Sequence, residues 1–147
     1  MSNYKKNSGN IFADMKLPKS EDYLTKAKSA HKTTYNKTRC EWSTSTELMQ
    51  KYHDTEWGTP QHDDKVLFEY LLLDSFQAGL SWSTILNKRE NFRKAFDGFD
   101  YKKIAKYDSK KKASLMQDAG IIRNRLKVES SVINAQEFIK IQKEFGR

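Results

Sequence analysis

From Arg39 onward, apolar residues recur three and four positions apart and nowhere alternate with polar ones, a pattern that excludes half-buried strands and leaves helices. Capping and breaking residues divide this stretch into segments. Ser45 or Thr46 can cap a short helix through Leu48, Met49 and Tyr52, broken by Trp57-Gly58-Thr59-Pro60. Asp63 caps a longer one with Val66, Leu67, Tyr70, Leu71, Asp74 and Ala78 at helical spacing and Gly79 beyond its end. Ser81 opens the next, with Ile85, Phe92 and Phe96 on one side. After Gly98, Asp100 caps a short helix holding Ile104 and Tyr107, and Ser109 caps another, with Ala113 and Met116, that stops at Gly120. A last long helix begins near Arg123, its stripe formed by Val128, Val132, Ala135 and Ile139. The predicted fold class is all-α with short connections.

Charge separates the ends of the chain from its middle. Residues 1–39 carry nine basic and three acidic residues, residues 40–100 six and eleven, and residues 101–147 twelve and five. The formal net charge of +8 therefore belongs to the two ends, which suits a polyanion such as nucleic acid or simply a solvated surface. Residues 1–38 read as a disordered basic arm, with helical potential confined to Ser20–Ala30, and residues 39–147 as a helical domain. Cys40 has no second cysteine to pair with, which excludes a disulfide scaffold. No run approaches a membrane span and the N-terminus lacks the apolar stretch of a secretory signal, so an intracellular, soluble protein is expected.

Four constellations could carry chemistry. Asp74 falls on what the spacing marks as the inward stripe of its helix, where a carboxylate needs a partner or a purpose. Around it in sequence stand Trp42, Tyr52, Trp57, Phe76 and Trp82, as suited to an ordinary core as to a pocket for a flat cationic ring. The turn Gln117-Asp118-Ala119-Gly120-Ile121-Ile122-Arg123-Asn124-Arg125 lies between two helices. It would offer free backbone N–H groups to a phosphate, with Arg123, Arg125 and Lys127 adding charge, or it is a plain helical corner. Cys40 and His53 are half of a tetrahedral zinc site, or a thiol and a core histidine.

Four blocks, Arg39-Cys40-Glu41-Trp42, Tyr52-His53-Asp54-Thr55-Glu56-Trp57-Gly58, Gln77-Ala78-Gly79-Leu80-Ser81-Trp82 and Asp118-Ala119-Gly120-Ile121-Ile122-Arg123, occur together in an order and spacing that closely resemble the DNA-3-methyladenine glycosylase I family. The resemblance implies a helix-hairpin-helix glycosylase of base-excision repair. Such an enzyme flips cationic 3-methyladenine out of double-stranded alkylated DNA and hydrolyses its glycosidic bond, acting as a monomer. Carried over by position, Trp82 would stack on the base, Tyr52, Trp42, Met49 and Phe76 would line its pocket, and Trp57 would support the wall. Asp74 would be the catalytic carboxylate. Gly120, Ile122, Arg123, Asn124, Arg125 and Lys127 would meet DNA, and Cys40 and His53 would ligate a structural zinc. No lysine matches a Schiff-base role, so hydrolysis without strand cleavage is implied.

The sequence departs from the family pattern in three ways. Asp74 replaces a usual Glu, a shortening of about 1.5 Å, and misplacement on a ~1 Å scale can cost about a hundredfold in rate. Met49 stands where a Tyr is common, and bulky Phe76 where the family has a smaller or polar residue. Beyond the position of Arg147 the family continues for several helices and supplies a His and a Cys as the remaining zinc ligands, so a complete zinc site is not expected within these 147 residues. The competing expectation is a shortened DNA-binding or lesion-sensing relative without excision activity.

Overall fold

Side-chain caps set most helix starts. Thr46 accepts a hydrogen bond from the Met49 N–H (3.2 Å) and opens α1, Glu47–Thr55, after a 3-10 turn at Glu41–Ser45. Asp63 accepts from Val66 N–H (2.9 Å) and opens α2, Asp64–Gln77. Ser81 accepts from Thr84 N–H (3.1 Å) and opens α3, Trp82–Ala95. A 3-10 turn at Asp97–Phe99 leads to α4, Tyr101–Ile104, capped by Asp100. The helix α5, Ser109–Gln117, is capped by Asp108 through Lys111 N–H (2.7 Å), one residue before the predicted Ser109. The last, α6, spans Arg125–Phe145, and Asn124 accepts from Lys127 N–H (3.1 Å), so it starts two residues later than predicted.

This computed structural model describes residues 38–145, and Arg39–Arg147 cluster as one unit. The basic arm and its Ser20–Ala30 segment lie outside the described residues, except for Thr38. The described residues form six α-helices and no strand, in agreement with the all-α expectation. None of their helices is long and apolar enough to cross a membrane.

Phe68, Leu72, Leu73 and Phe76 of α2 meet Ile85 and Phe92 of α3 at the centre, with Phe96, Phe99, Ile104, Leu115, Ile121, Val128 and Ala135 completing the core. The Phe76 ring lies 4.7 Å from Phe92 and 5.6 Å from Phe96, centroid to centroid. Each such ring contributes about 1.5–3 kcal/mol through burial alone. The helix α6 packs on α2, α4 and α5, and α1 packs on α3 and on the first 3-10 turn.

Two placements differ from expectation. Apolar residues surround α2, so spacing does not select its buried face: Leu67 and Leu71 remain 41% and 42% exposed while Phe68 and Leu72 are fully buried. Asp74 is therefore on the exposed side of α2 and not on its core stripe. In α5, Leu115 enters the core, whereas Ala113 is exposed and Met116 half-buried.

Candidate functional site

The 3-10 turn, α1, the C-terminal half of α2 and the first residue of α3 enclose a cleft of about 390 Å³, lined by Trp42, Met49, Tyr52, Trp57, Asp74, Gln77 and Trp82. The helical register of α1 sends Met49 and Tyr52 to one side, three residues apart. Met49 is buried beneath the cleft, and Tyr52 stands 5.4 Å from the Trp82 ring. Trp42 lies 6.3 Å from Tyr52 and meets Trp57 edge-on at 5.4 Å. The cleft thus presents aromatic faces and edges from two helices and two turns to one volume.

A tight turn joins the two sides of the far wall. Leu80 N–H donates to Gln77 O (2.6 Å), Ala78 has φ −47° and ψ 116°, and Gly79 has φ +80°, the dihedral pattern of a type II turn that needs Gly at its third position. The Gln77 amide donates to Leu80 O (3.1 Å), which holds a side chain of the cleft against the turn. Trp82 follows as the first residue of α3. Its indole N–H is out of water and has no hydrogen-bond partner among the described residues.

Asp74 is the carboxylate of the cleft, and among the described residues it makes no hydrogen bond or ion pair. Although Asp74 is on the exposed side of α2, the cleft walls partly desolvate its carboxyl and push its pKa above the ordinary 3.8. Burial also raises the Tyr52 hydroxyl above 10.0, helped by the charges of Asp74 and Glu56 and opposed by Arg89 and by the Trp82 indole, which stays short of hydrogen-bond geometry. Tyr52 is therefore a neutral donor near pH 7.

Behind this wall runs an ion-pair network that spacing did not reveal. Arg89 of α3 donates to Glu69 of α2 (2.5 Å) and to Glu56 at the end of α1 (2.6 Å), and Arg93 reaches Glu69 (2.8 Å). The Tyr70 hydroxyl also donates to Glu56. Burial alone would raise Glu56, but the hydrogen bonds from Tyr70 and Arg89 and the charges of Arg89 and Arg93 outweigh it and hold its carboxyl below 4.5. The only sequence signal was an acid in the second quoted block and two arginines on α3, whose partners lie 20 to 33 residues away.

Three predicted site residues are placed otherwise. Phe76 is fully buried in the core and does not line the cleft, because its position on α2 faces α3. In the α5–α6 turn, Gly120 N–H is taken by Asp118 Oδ1 (2.7 Å), so it is not a free donor. A Cβ at Gly120 would come within 3.2 Å of Asn91, which explains the glycine by close packing on α3. Lys127 points its ammonium at the carbonyls of Phe76 (2.8 Å) and Ala78 (2.6 Å) and so is not a free cation. Ile122 is half-buried, Asn124 caps α6, and Arg123 and Arg125 are exposed.

Cys40 and His53 are neighbours: Cys40 N–H donates to His53 Nε2 (3.4 Å), while Nδ1 faces Asp54 (3.1 Å), itself paired with Arg39. The His53 ring stacks on Trp57 at 5.3 Å and 19°. No group of three or more His, Cys, Asp or Glu suited to a metal occurs among the described residues, and Nε2 already accepts from a backbone amide, so these residues do not by themselves fit zinc.

Residues 42–147, which include the whole cleft, match the methyladenine glycosylase family. The chain belongs to that family. Within it, the DNA-3-methyladenine glycosylase of Haemophilus influenzae is 46% identical over 106 residues, 72% of this chain and 57% of that relative. DNA-3-methyladenine glycosylase 1 of Escherichia coli K12 is 45% identical over 104 residues, 71% of this chain and 56% of the relative. The 3-methyladenine DNA glycosylase I of Staphylococcus aureus, solved to explain its recognition of 3-methyladenine, superposes with a TM-score of 0.70 at 39% identity over 74% of this chain and 57% of its own. The chain thus spans somewhat over half the length of the relatives it matches.

Proposed function

We propose that this polypeptide supplies the base-recognition cleft of a base-excision repair glycosylase that removes 3-methyladenine from alkylated double-stranded DNA. The observation that carries this reading is the cleft itself: aromatic rings on several sides and one unpartnered carboxylate suit a flat, cationic ring. The lesion would leave the base stack and enter between Trp82 and the rings of Tyr52 and Trp42. Its exocyclic amine or ring edge would meet Asp74, Gln77 and the neutral Tyr52 hydroxyl.

Methylation at N3 places a positive charge on the base before any protein acts. The C1′–N bond can therefore break with its electron pair returning to the ring, and 3-methyladenine leaves neutral. A water oxygen adds to C1′ and gives up its proton to solvent or to a carboxylate. Asp74, as an anion, favours the positive charge that shifts from base to sugar. Among the described residues no lysine lines the cleft, and the reaction read here is hydrolysis that leaves the DNA strand intact.

Exposed Arg123 and Arg125 beside the α5–α6 turn are the groups we assign to the DNA backbone, by charge and not through the amide of Gly120. A structural zinc on Cys40 and His53 would need two donors from outside the described residues, and no step here depends on it.

A second reading is a DNA-binding or lesion-sensing relative without excision, since exposed Arg123 and Arg125 offer charge to DNA whether or not the cleft removes a base. Incubation with methylated duplex DNA separates the two. Release of free 3-methyladenine that is lost in Asp74→Asn supports the glycosylase. Binding of that DNA without release supports the second reading.

A further inference from the structure

We infer that Lys127 is a positioning residue of the cleft: its ammonium, carried by α6, locks the α2–α3 turn that sets Gln77 and Trp82. The sequence places Lys127 with Arg123 and Arg125 as a phosphate-binding cation. Its position is a poor one for its own helix, because a positive charge in the first turn of α6 opposes the helix dipole. At the end of α2 the same charge meets carbonyls that lack helical partners, at the negative end of that dipole.

The two bonds are short and charge-assisted, 2.8 Å to Phe76 O and 2.6 Å to Ala78 O. They straddle Gln77, whose side chain lines the cleft and whose carbonyl closes the turn to Leu80. Two residues after Leu80 comes Trp82. Gly79, with φ +80° and open space around the position of a Cβ, gives this turn backbone freedom that neighbouring packing does not restrain. Lys127 supplies the restraint from 49 to 51 residues away.

A second lysine makes the reverse connection. Lys88 of α3 donates to Ala119 O (3.1 Å) and Gly120 O (3.2 Å), and Asn91 approaches Gly120 O (3.4 Å). The α5–α6 turn is thus held by α3, and the turn before α3 is held by α6. The turn assigned above to the DNA backbone and the wall assigned to the base are joined by this pair of clasps.

The value of this coupling for base selection rests on the proposed glycosylase function, but the clasp itself does not. The test compares the wild type with Lys127→Met, Lys127→Arg and, as a control for lost stability alone, Val132→Ala in the core-facing side of α6. The readouts are the Trp82 indole N–H resonance, identified by its absence in Trp82→Phe, and the Kd for free 3-methyladenine.

Lys127→Met is expected to move the Trp82 resonance and weaken binding about tenfold. Lys127→Arg should retain most of the wild-type behaviour, and Val132→Ala should leave the resonance in place. A resonance unmoved by Lys127→Met, or moved equally by Val132→Ala, overturns the inference. If the wild type binds no 3-methyladenine while Lys127→Met alone still moves Trp82, the clasp stands and the base-binding reading fails. Should Lys127→Met not fold, reductive methylation of the wild type decides: Lys127 is expected to react more slowly than exposed Lys110, and equal rates overturn the inference.

Discussion

Two aromatic clusters meet at Trp82, which lines the cleft and also packs against the core, and their chemistry differs as their surroundings do. In the core, Phe68, Phe76, Phe92, Phe96 and Phe99 are fully buried and carry no polar atom that would need a partner. At the cleft, Trp42 and Trp57 stay 40% and 50% exposed, and the polar groups of Tyr52 and Trp82 sit beside an uncommitted carboxylate. The charged groups divide in the same way. Glu56, Glu69, Arg89 and Arg93 satisfy one another behind the wall, whereas Asp74 has no such partner. One cluster is closed and satisfied on folding, and the other borders an open cleft.

The largest effects are expected where what is closed and satisfied on folding is broken. Phe76→Ala should cost about 3–5 kcal/mol in chemical denaturation, with base affinity changed only as far as the fold is lost. A stable variant with selectively lost affinity would return Phe76 to the cleft. Arg89→Met should cost about 1.5–3 kcal/mol, because buried Glu69 then keeps only Arg93 and half-buried Glu56 only the Tyr70 hydroxyl. Their loss would show as a fall in denaturation midpoint.

A smaller effect, of opposite kind, is expected at the cleft. Trp82→Ala should weaken 3-methyladenine binding by about 1–3 kcal/mol in a fluorescence titration while leaving the helical signal of the chain intact.

The two carboxylates differ in sign with pH. Glu56 is held below 4.5, so its contribution to stability is present above pH 4.5 and is lost as pH falls through its lower folded value. Asp74 is raised above 3.8, so the folded state disfavours its charge, and that cost appears as pH rises through its folded value. Asp74→Asn should therefore raise the melting temperature slightly at neutral pH while abolishing base release. In the wild type, release should fall on acidification at a pH above 3.8. A melting temperature that drops in Asp74→Asn would show that the carboxylate has a structural partner.

Much of this fold is legible from local chemistry. Asp63, Ser81 and Asp100 each open the helix expected of them, and Thr46 is the one of the two offered caps that opens α1, since a cap is decided by residues within one turn. Asp108 was missed because Ser109 beside it is an equally good cap by type. The buried face of α2 was not legible, because Leu67, Leu71, Leu72 and Leu73 leave no polar side to orient the helix. This is why spacing puts Asp74 on the core stripe, whereas Phe76 is assigned to the cleft by the family resemblance and not by the helix pattern.

The cleft was legible chiefly as blocks of residue types, which named Trp42, Tyr52, Trp57 and Trp82, while Gln77 entered only as a member of a motif. Lys127 shows the limit of such reading. Its helix and its neighbours suggest a phosphate ligand, and only contacts 49 to 51 residues distant show which carbonyls hold it.

On the proposed function, the cleft of Trp42, Tyr52, Trp57 and Trp82 with Asp74 selects a cationic base. Titration of the chain with free 3-methyladenine and with adenine, followed by tryptophan fluorescence, tests it most directly. Saturable binding of 3-methyladenine, much tighter than that of adenine and weakened in both Trp82→Ala and Asp74→Asn, is the predicted result. Equal affinity for the two bases, or 3-methyladenine binding that survives both substitutions, would contradict it.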